Sequence, residues 1–114
     1  MKIKQIQEIL NAEVITGSEH LSEEIQLAFA SDLMSDVLRL QTDDLILITG
    51  LANLQSIRTA EMADIQYVIF ARGKRISEDM LELAKENDML ILQVEYSVYK
   101  TSGLLFEAGL KAVY

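Results

Sequence analysis

Two Ser-Asp pairs stand one helical turn apart, Ser31-Asp32 and Ser35-Asp36. Carboxylates at this spacing can hold a hydrated magnesium ion or a ligand hydroxyl, with the serines as added donors. The same spacing also has a purely structural use. On a helix turning about 100° per residue, Ser31, Asp32, Ser35, Asp36 and Arg39 share one arc, opposite Leu33, Met34, Val37, Leu38 and Leu40. Ser31 or Asp32 is then the N-cap, and Asp36 pairs with Arg39. A second group is cationic: Arg72, Lys74 and Arg75, with Gly73 among them, place three of the ten cations on one short loop. A loop of this kind running into a helix, whose first amides are free, suits an anion. Tyr96 and Tyr99 are placed either to stack on a purine or to pack the last helix against a sheet. His20, in the polar run SEHLSEE, is expected to be exposed.

The missing residue types remove much of catalytic chemistry. With no cysteine and one histidine, the chain has no thiol nucleophile, no disulfide and no protein-only zinc site. No catalytic residue, resident metal or cofactor is expected. Eighteen acidic against ten basic side chains give a net charge of -8, which repels a phosphate backbone and excludes nucleic acid as a natural partner. No apolar run approaches the roughly 18 to 20 residues of a membrane span. The opening MKIKQIQEIL alternates apolar with polar residues, unlike a secretion signal. A cytoplasmic protein is expected.

Positioning these groups requires a scaffold, and 114 residues are enough for one domain, 1–114. Ile3, Ile6, Ile9 and Leu10 predict a first helix, followed by a short strand AEVITG closed by Gly17. Beyond the polar run, strands near 26–30, 45–49, 67–71 and 89–94 alternate with helices near 32–40, 55–63, 78–86 and 98–112. LILIT and VIFA are apolar at every position, as in strands covered on both faces. The fold class is therefore α/β, a three-layer sandwich with a mostly parallel central sheet and helices on both faces. In an open parallel sheet, ligands gather outside the carboxyl ends of the strands. Those ends carry Ser31-Asp32, Thr49-Gly50 with Asn53, Arg72-Gly73-Lys74-Arg75, and Glu95-Tyr96-Ser97.

The order SDLMSDVL, LITGLANLQSIRTA, VIFARGKRISEDMLELAKEN, ILQVEYSVYKTSGLLFEAGL resembles the DRTGG domain family over nearly the whole chain, and more closely its small stand-alone bacterial members. The family's Asp-Arg would fall just after Gly50, where this chain has Leu51-Ala52-Asn53, and its Thr-Gly-Gly falls on Ala71-Arg72-Gly73. The doubled SD carries over, which adds weight to Ser31, Asp32, Ser35 and Asp36 as ligand residues. The resemblance implies a non-catalytic regulatory module of the kind found beside CBS domains and similar to the N-terminal domain of HPr kinases. A kinase is excluded: a phosphate-binding loop ending on Gly73-Lys74 needs glycine at Val68 and Ser or Thr at Arg75.

The resulting expectation is a regulatory domain, not an enzyme, that senses a small anionic ligand such as an adenine nucleotide. The alternative is a protein interaction module without a ligand, which the stand-alone members' link to iron-only hydrogenases would fit. A homodimer is expected through the segment 98–114, where Leu104, Leu105, Phe106, Ala108, Leu110, Ala112 and Val113 surround more of a helix than one sheet face covers. In the single-chain alternative, the first helix folds over that surface.

Overall fold

A computed structural model describes all residues, 1–114. Helix α1, Ile3–Leu10, buries Ile3, Ile6 and Leu10 along one face and ends where Asn11 turns left-handed, at φ 49°. Strand β1, Glu13–Thr16, leads through Gly17 into a 3-10 turn, Ser18–Ser22. There follow β2 (Leu27–Ala30), α2 (Met34–Val37), β3 (Ile46–Thr49), α3 (Leu54–Met62), β4 (Tyr67–Phe70), α4 (Glu78–Glu86), β5 (Leu90–Gln93), α5 (Val98–Glu107) and β6 (Lys111–Ala112).

The six strands lie in the order β1-β5-β4-β3-β2-β6, all neighbours parallel except β1, which runs antiparallel to β5. The fully apolar strands are explained by the two cores. Ile46, Ile48, Ile69, Leu90 and Leu92 pack with Ile3, Ile6 and Leu10 of α1 and Leu105 of α5. The alternate residues Leu47, Val68, Phe70 and Ile91 pack with Met34 and Val37, Ile57 and Ala60, and Met80 and Ala84, from α2, α3 and α4. The period of two therefore sends each strand's side chains to opposite helical layers. No helix is long and apolar enough to cross a membrane.

Two helices are shorter than their patterns predict. The helix expected over 32–40 contracts to Met34–Val37, because Ser31 and Asp32 are engaged elsewhere, and Leu33 and Leu38 of the expected apolar arc are 57% and 48% exposed. The helix expected to reach residue 112 stops at Glu107; Gly109, at φ 109°, turns the chain so that Leu110 enters the core and Lys111–Ala112 pairs with β2. The wide apolar circumference of 98–114 thus belongs partly to a strand. Helix α1 lies beside α5 on the same face of the sheet, as in the single-chain alternative.

Candidate functional site

At the carboxyl edge of the sheet the backbone continues pairing past the strands: Ser31 N donates to Ile48 O (3.0 Å) and Ala71 N to Thr49 O (2.9 Å). This holds the following residues at neighbouring heights. Asp32 is not an N-cap. Its Oδ1 accepts from Thr49 Oγ1 at 2.9 Å and from Gly50 N at 2.7 Å, so the carboxylate closes the end of β3. Thr49 is fully buried, and its hydroxyl in turn accepts from Leu51 N at 3.2 Å. Ser31 does not cap α2 either; its Oγ accepts from Leu33 N (3.0 Å) in a local turn, and the residue at the cap position, Leu33, has no capping side chain.

Beyond β4, Arg72 and Gly73 are consecutive left-handed residues, at φ 69° and 64°. Their amides donate to Tyr96 O (2.7 Å) and Val94 O (2.9 Å), which ties the loop to the end of β5. Both glycines of this edge are needed for close approach. A Cβ on Gly50 would lie 2.7 Å from Arg72 Cδ and 3.4 Å from Asp32 Oδ2, and one on Gly73 would lie 2.5 Å from Glu95 Oε2. The Arg72 side chain therefore crosses Gly50 near Asp32, and the Glu95 carboxylate sits over Gly73. Tyr96 is covered on one face by Lys100, whose Nζ is 4.1 Å from the ring centroid.

The edge thus brings together Asp32, Thr49, Gly50, Arg72, Gly73 and Tyr96. It adds Glu95 and Lys100, which lie immediately beyond β5 and one helical turn further on. Glu95 was legible as a strand-end residue; Lys100 carries no signal until α5 is placed. The other expected residues have different surroundings. Asn53 and Ser97 are N-caps, accepting from Ser56 N (2.9 Å) and Lys100 N (3.1 Å). Ser35 is exposed, Asp36 lies in the first turn of α2, and the expected Asp36–Arg39 ion pair does not form, since every ion pair in the fold involves His20. Lys74 and Arg75 are exposed; the helix that follows is capped by Ser77 and already carries Glu78 and Asp79 in its first turn, so its positive end is met by its own carboxylates.

Helices α2, α3 and α4 follow on one face, whereas α5, after β5, crosses the other face to reach β6 beyond β2, so the loops leaving the adjacent strands β4 and β5 diverge to opposite faces, the kind of point at which doubly wound sheets bind ligands. An apolar groove of about 350 Å³ lies next to this edge, between α5 and the β3-β2-β6 side of the sheet. Ala28, Ala30, Ile48, Gly103, Phe106 and Ala112 line it, and Tyr99, 89% exposed, stands on its rim rather than packing α5 onto the sheet.

A second polar cluster occupies the opposite edge. His20 is buried, at 5% exposure, and not a loop residue in solvent. Its Nδ1 is 2.7 Å from Glu23 Oε2 and its Nε2 is 2.8 Å from Asp88 O, while the Tyr67 hydroxyl donates to Glu23 Oε1. Burial works against the His20 charge, but the Glu23 hydrogen bond, the Asp88 carbonyl and both carboxylates outweigh it and raise its pKa above the ordinary 6.5. The Tyr67 hydrogen bond holds Glu23 below its ordinary 4.5, with His20 acting in the same direction against burial. Burial and the Glu23 carboxylate push the Tyr67 hydroxyl far up. Donor atoms of Glu19, His20 and Asp88 come within 4.8 Å of one another, yet both ring nitrogens face acceptors and leave no lone pair for a cation.

The family model of the DRTGG domain matches residues 5–108. No curated protein is similar enough in sequence to count as a relative. Among solved structures, the chain is similar to the CBS and DRTGG domains of the regulatory region of Clostridium perfringens pyrophosphatase, complexed with its activator diadenosine tetraphosphate. The identity is 16% and the TM-score 0.78, over 96% of this chain and 47% of the other. The chain spans about half the length of that neighbour, and the likeness shows a shared fold.

Proposed function

Because the chain belongs to the DRTGG domain family, we propose that it is a non-catalytic regulatory domain that senses a small anionic ligand, an adenine nucleotide by preference. The observation that carries the reading is the carboxyl edge, where Arg72 and Gly73 are held left-handed beside Asp32, Gly50 and Tyr96. Arg72 supplies a cation on a backbone held in place, Tyr96 an aromatic ring for stacking, and the Asp32 and Glu95 carboxylates accept hydroxyls such as those of a ribose. The neighbour of the same fold, complexed with a dinucleotide activator, supports this ligand class.

A thermal-shift survey of adenosine mono-, di- and triphosphates and diadenosine polyphosphates tests the reading, since a ligand bound to the native state raises the melting temperature. At least one nucleotide is expected to raise it, and the combined change of Arg72, Lys74 and Arg75 to alanine to remove the shift while the melting temperature of the free protein stays near its original value. No shift with any nucleotide would overturn nucleotide sensing and favour an interaction module. That second reading rests on the apolar groove with Phe106 and Tyr99 exposed at its rim. We also propose that the protein is a homodimer that uses this side of α5.

A further inference from the structure

The partners of His20 fix its protonation. Asp88 O is a carbonyl and Glu23 Oε2 belongs to a carboxylate, so each can only accept. With both contacts kept, both ring nitrogens donate, and the closed arrangement calls for the imidazolium. Every ionisable group facing it is an acid or a phenol: Glu19 and Glu23 from the turn and its end, Tyr67 edge-on from β4 at 5.8 Å between centroids, and Asp88 from the α4–β5 corner, with its Oδ1 3.4 Å from Nε2. Asp44, before β3, acts on the Tyr67 hydroxyl in the same electrostatic sense.

We propose that His20 is a proton-operated clasp: as an imidazolium it holds the Ser18–Ser22 turn against the corner between α4 and β5, and on losing its Nε2 proton it releases that turn. The proton that stays is the one on Nδ1, which faces the full charge of Glu23 at 2.7 Å. Loss from Nε2 leaves a ring lone pair directed at the Asp88 carbonyl oxygen from 2.8 Å, with the Asp88 carboxylate close behind, and the contact becomes repulsive. The corner itself stays tied, because Gln66 Nε2 also donates to Asp88 O at 3.2 Å. The segment that moves is therefore the turn, not the sheet behind it. Gly17, which starts the turn at φ 83°, packs against the backbone of Met89 and Leu90 and stays with that corner, so the turn opens beyond it. By linkage, each pH unit by which the closed form holds the proton more tightly makes opening about tenfold rarer at low pH.

The single histidine makes the test direct. Its imidazole is titrated by NMR in the whole chain while hydrogen exchange follows protection factors of the amides of residues 18–23. The expected result is a midpoint above 6.5, two slowly exchanging ring protons below it, and protection in the turn that falls severalfold or more through the same pH range. The amides of β4 should keep their protection. Glu23→Gln, which retains a hydrogen-bonding side chain, is expected to move the midpoint down and the loss of protection with it. A midpoint at or below 6.5, or turn protection indifferent to the titration, overturns the clasp.

Discussion

Asp32 shows how one residue can satisfy a sequence pattern and do something else with it. Its place in the doubled Ser-Asp pair fits a helix cap, but its carboxylate closes β3 through Thr49 and Gly50. Two hydrogen bonds to a charged acceptor set the expected cost of Asp32→Ala at about 1–3 kcal/mol in urea unfolding, with Asp32→Asn, which keeps an acceptor oxygen, losing less than half of that. Equal losses for the two variants would mean that the charge, not the acceptor, holds the strand end. Asp36 makes no such bond, so Asp36→Asn should change stability by no more than about 0.5 kcal/mol and leave nucleotide binding untouched. A large loss of binding would return Asp36 to the ligand site. Glu23 gives the opposite pH limb to His20. Its folded pKa is depressed, so its contribution is complete above about pH 4.5 and is lost as pH falls through the folded value. The stability difference between the wild type and Glu23→Gln should shrink with acidification through that range, as measured by melting at several pH values. None of the His20 cluster was legible in the sequence: SEHLSEE reads as solvent-facing, and the residues that bury it, Tyr67 and Asp88, arrive from distant segments.

Elements followed their patterns where both faces were buried and departed from them at the edges. Helix α4 has the bounds predicted, 78–86, and the strand cores LILIT and YVIFA lie where their unbroken apolar runs put them. Helix α2 failed because side-chain-to-backbone bonds at Ser31 and Asp32 outcompeted capping, which periodicity does not register. The end of α5 failed because LFEAGLKAV is equally compatible with a helix, and a partner strand, β2, decides the matter. Asn53 was a candidate for ligand contact, and its geometry is that of a cap. Asn53→Ala should therefore destabilise the chain by about 1 kcal/mol through the start of α3, while the thermal shift produced by a nucleotide is retained. Loss of the shift at unchanged stability would contradict the capping role.

For the whole molecule, the three-layer sandwich was legible because strands apolar at every position permit little else. The shape of its carboxyl edge was not, because that depends on α2, α3 and α4 sharing one face and α5 taking the other. The unequal layers leave the β3-β2-β6 side of the sheet open beside α5, and the proposed dimer covers it. Light scattering at micromolar concentration should give a mass near twice 12.8 kDa, falling to the single-chain value in Phe106→Glu with secondary structure retained. A mass of one chain in the wild type would reject the dimer. The strand order has a further consequence for the history of each molecule. Strands β2 to β5 pair with sequence neighbours and can assemble in turn, whereas β1 waits for β5 and the outer side of β2 waits for β6, each pairing joining residues 75 to 84 positions apart. Both borders of the sheet are thus sealed by its remotest pairings, which carry the largest loop-closure cost. During synthesis the centre can be in place while β2 still presents a bare edge, and protection in a refolding experiment should reach β3 and β4 before β1 and β6.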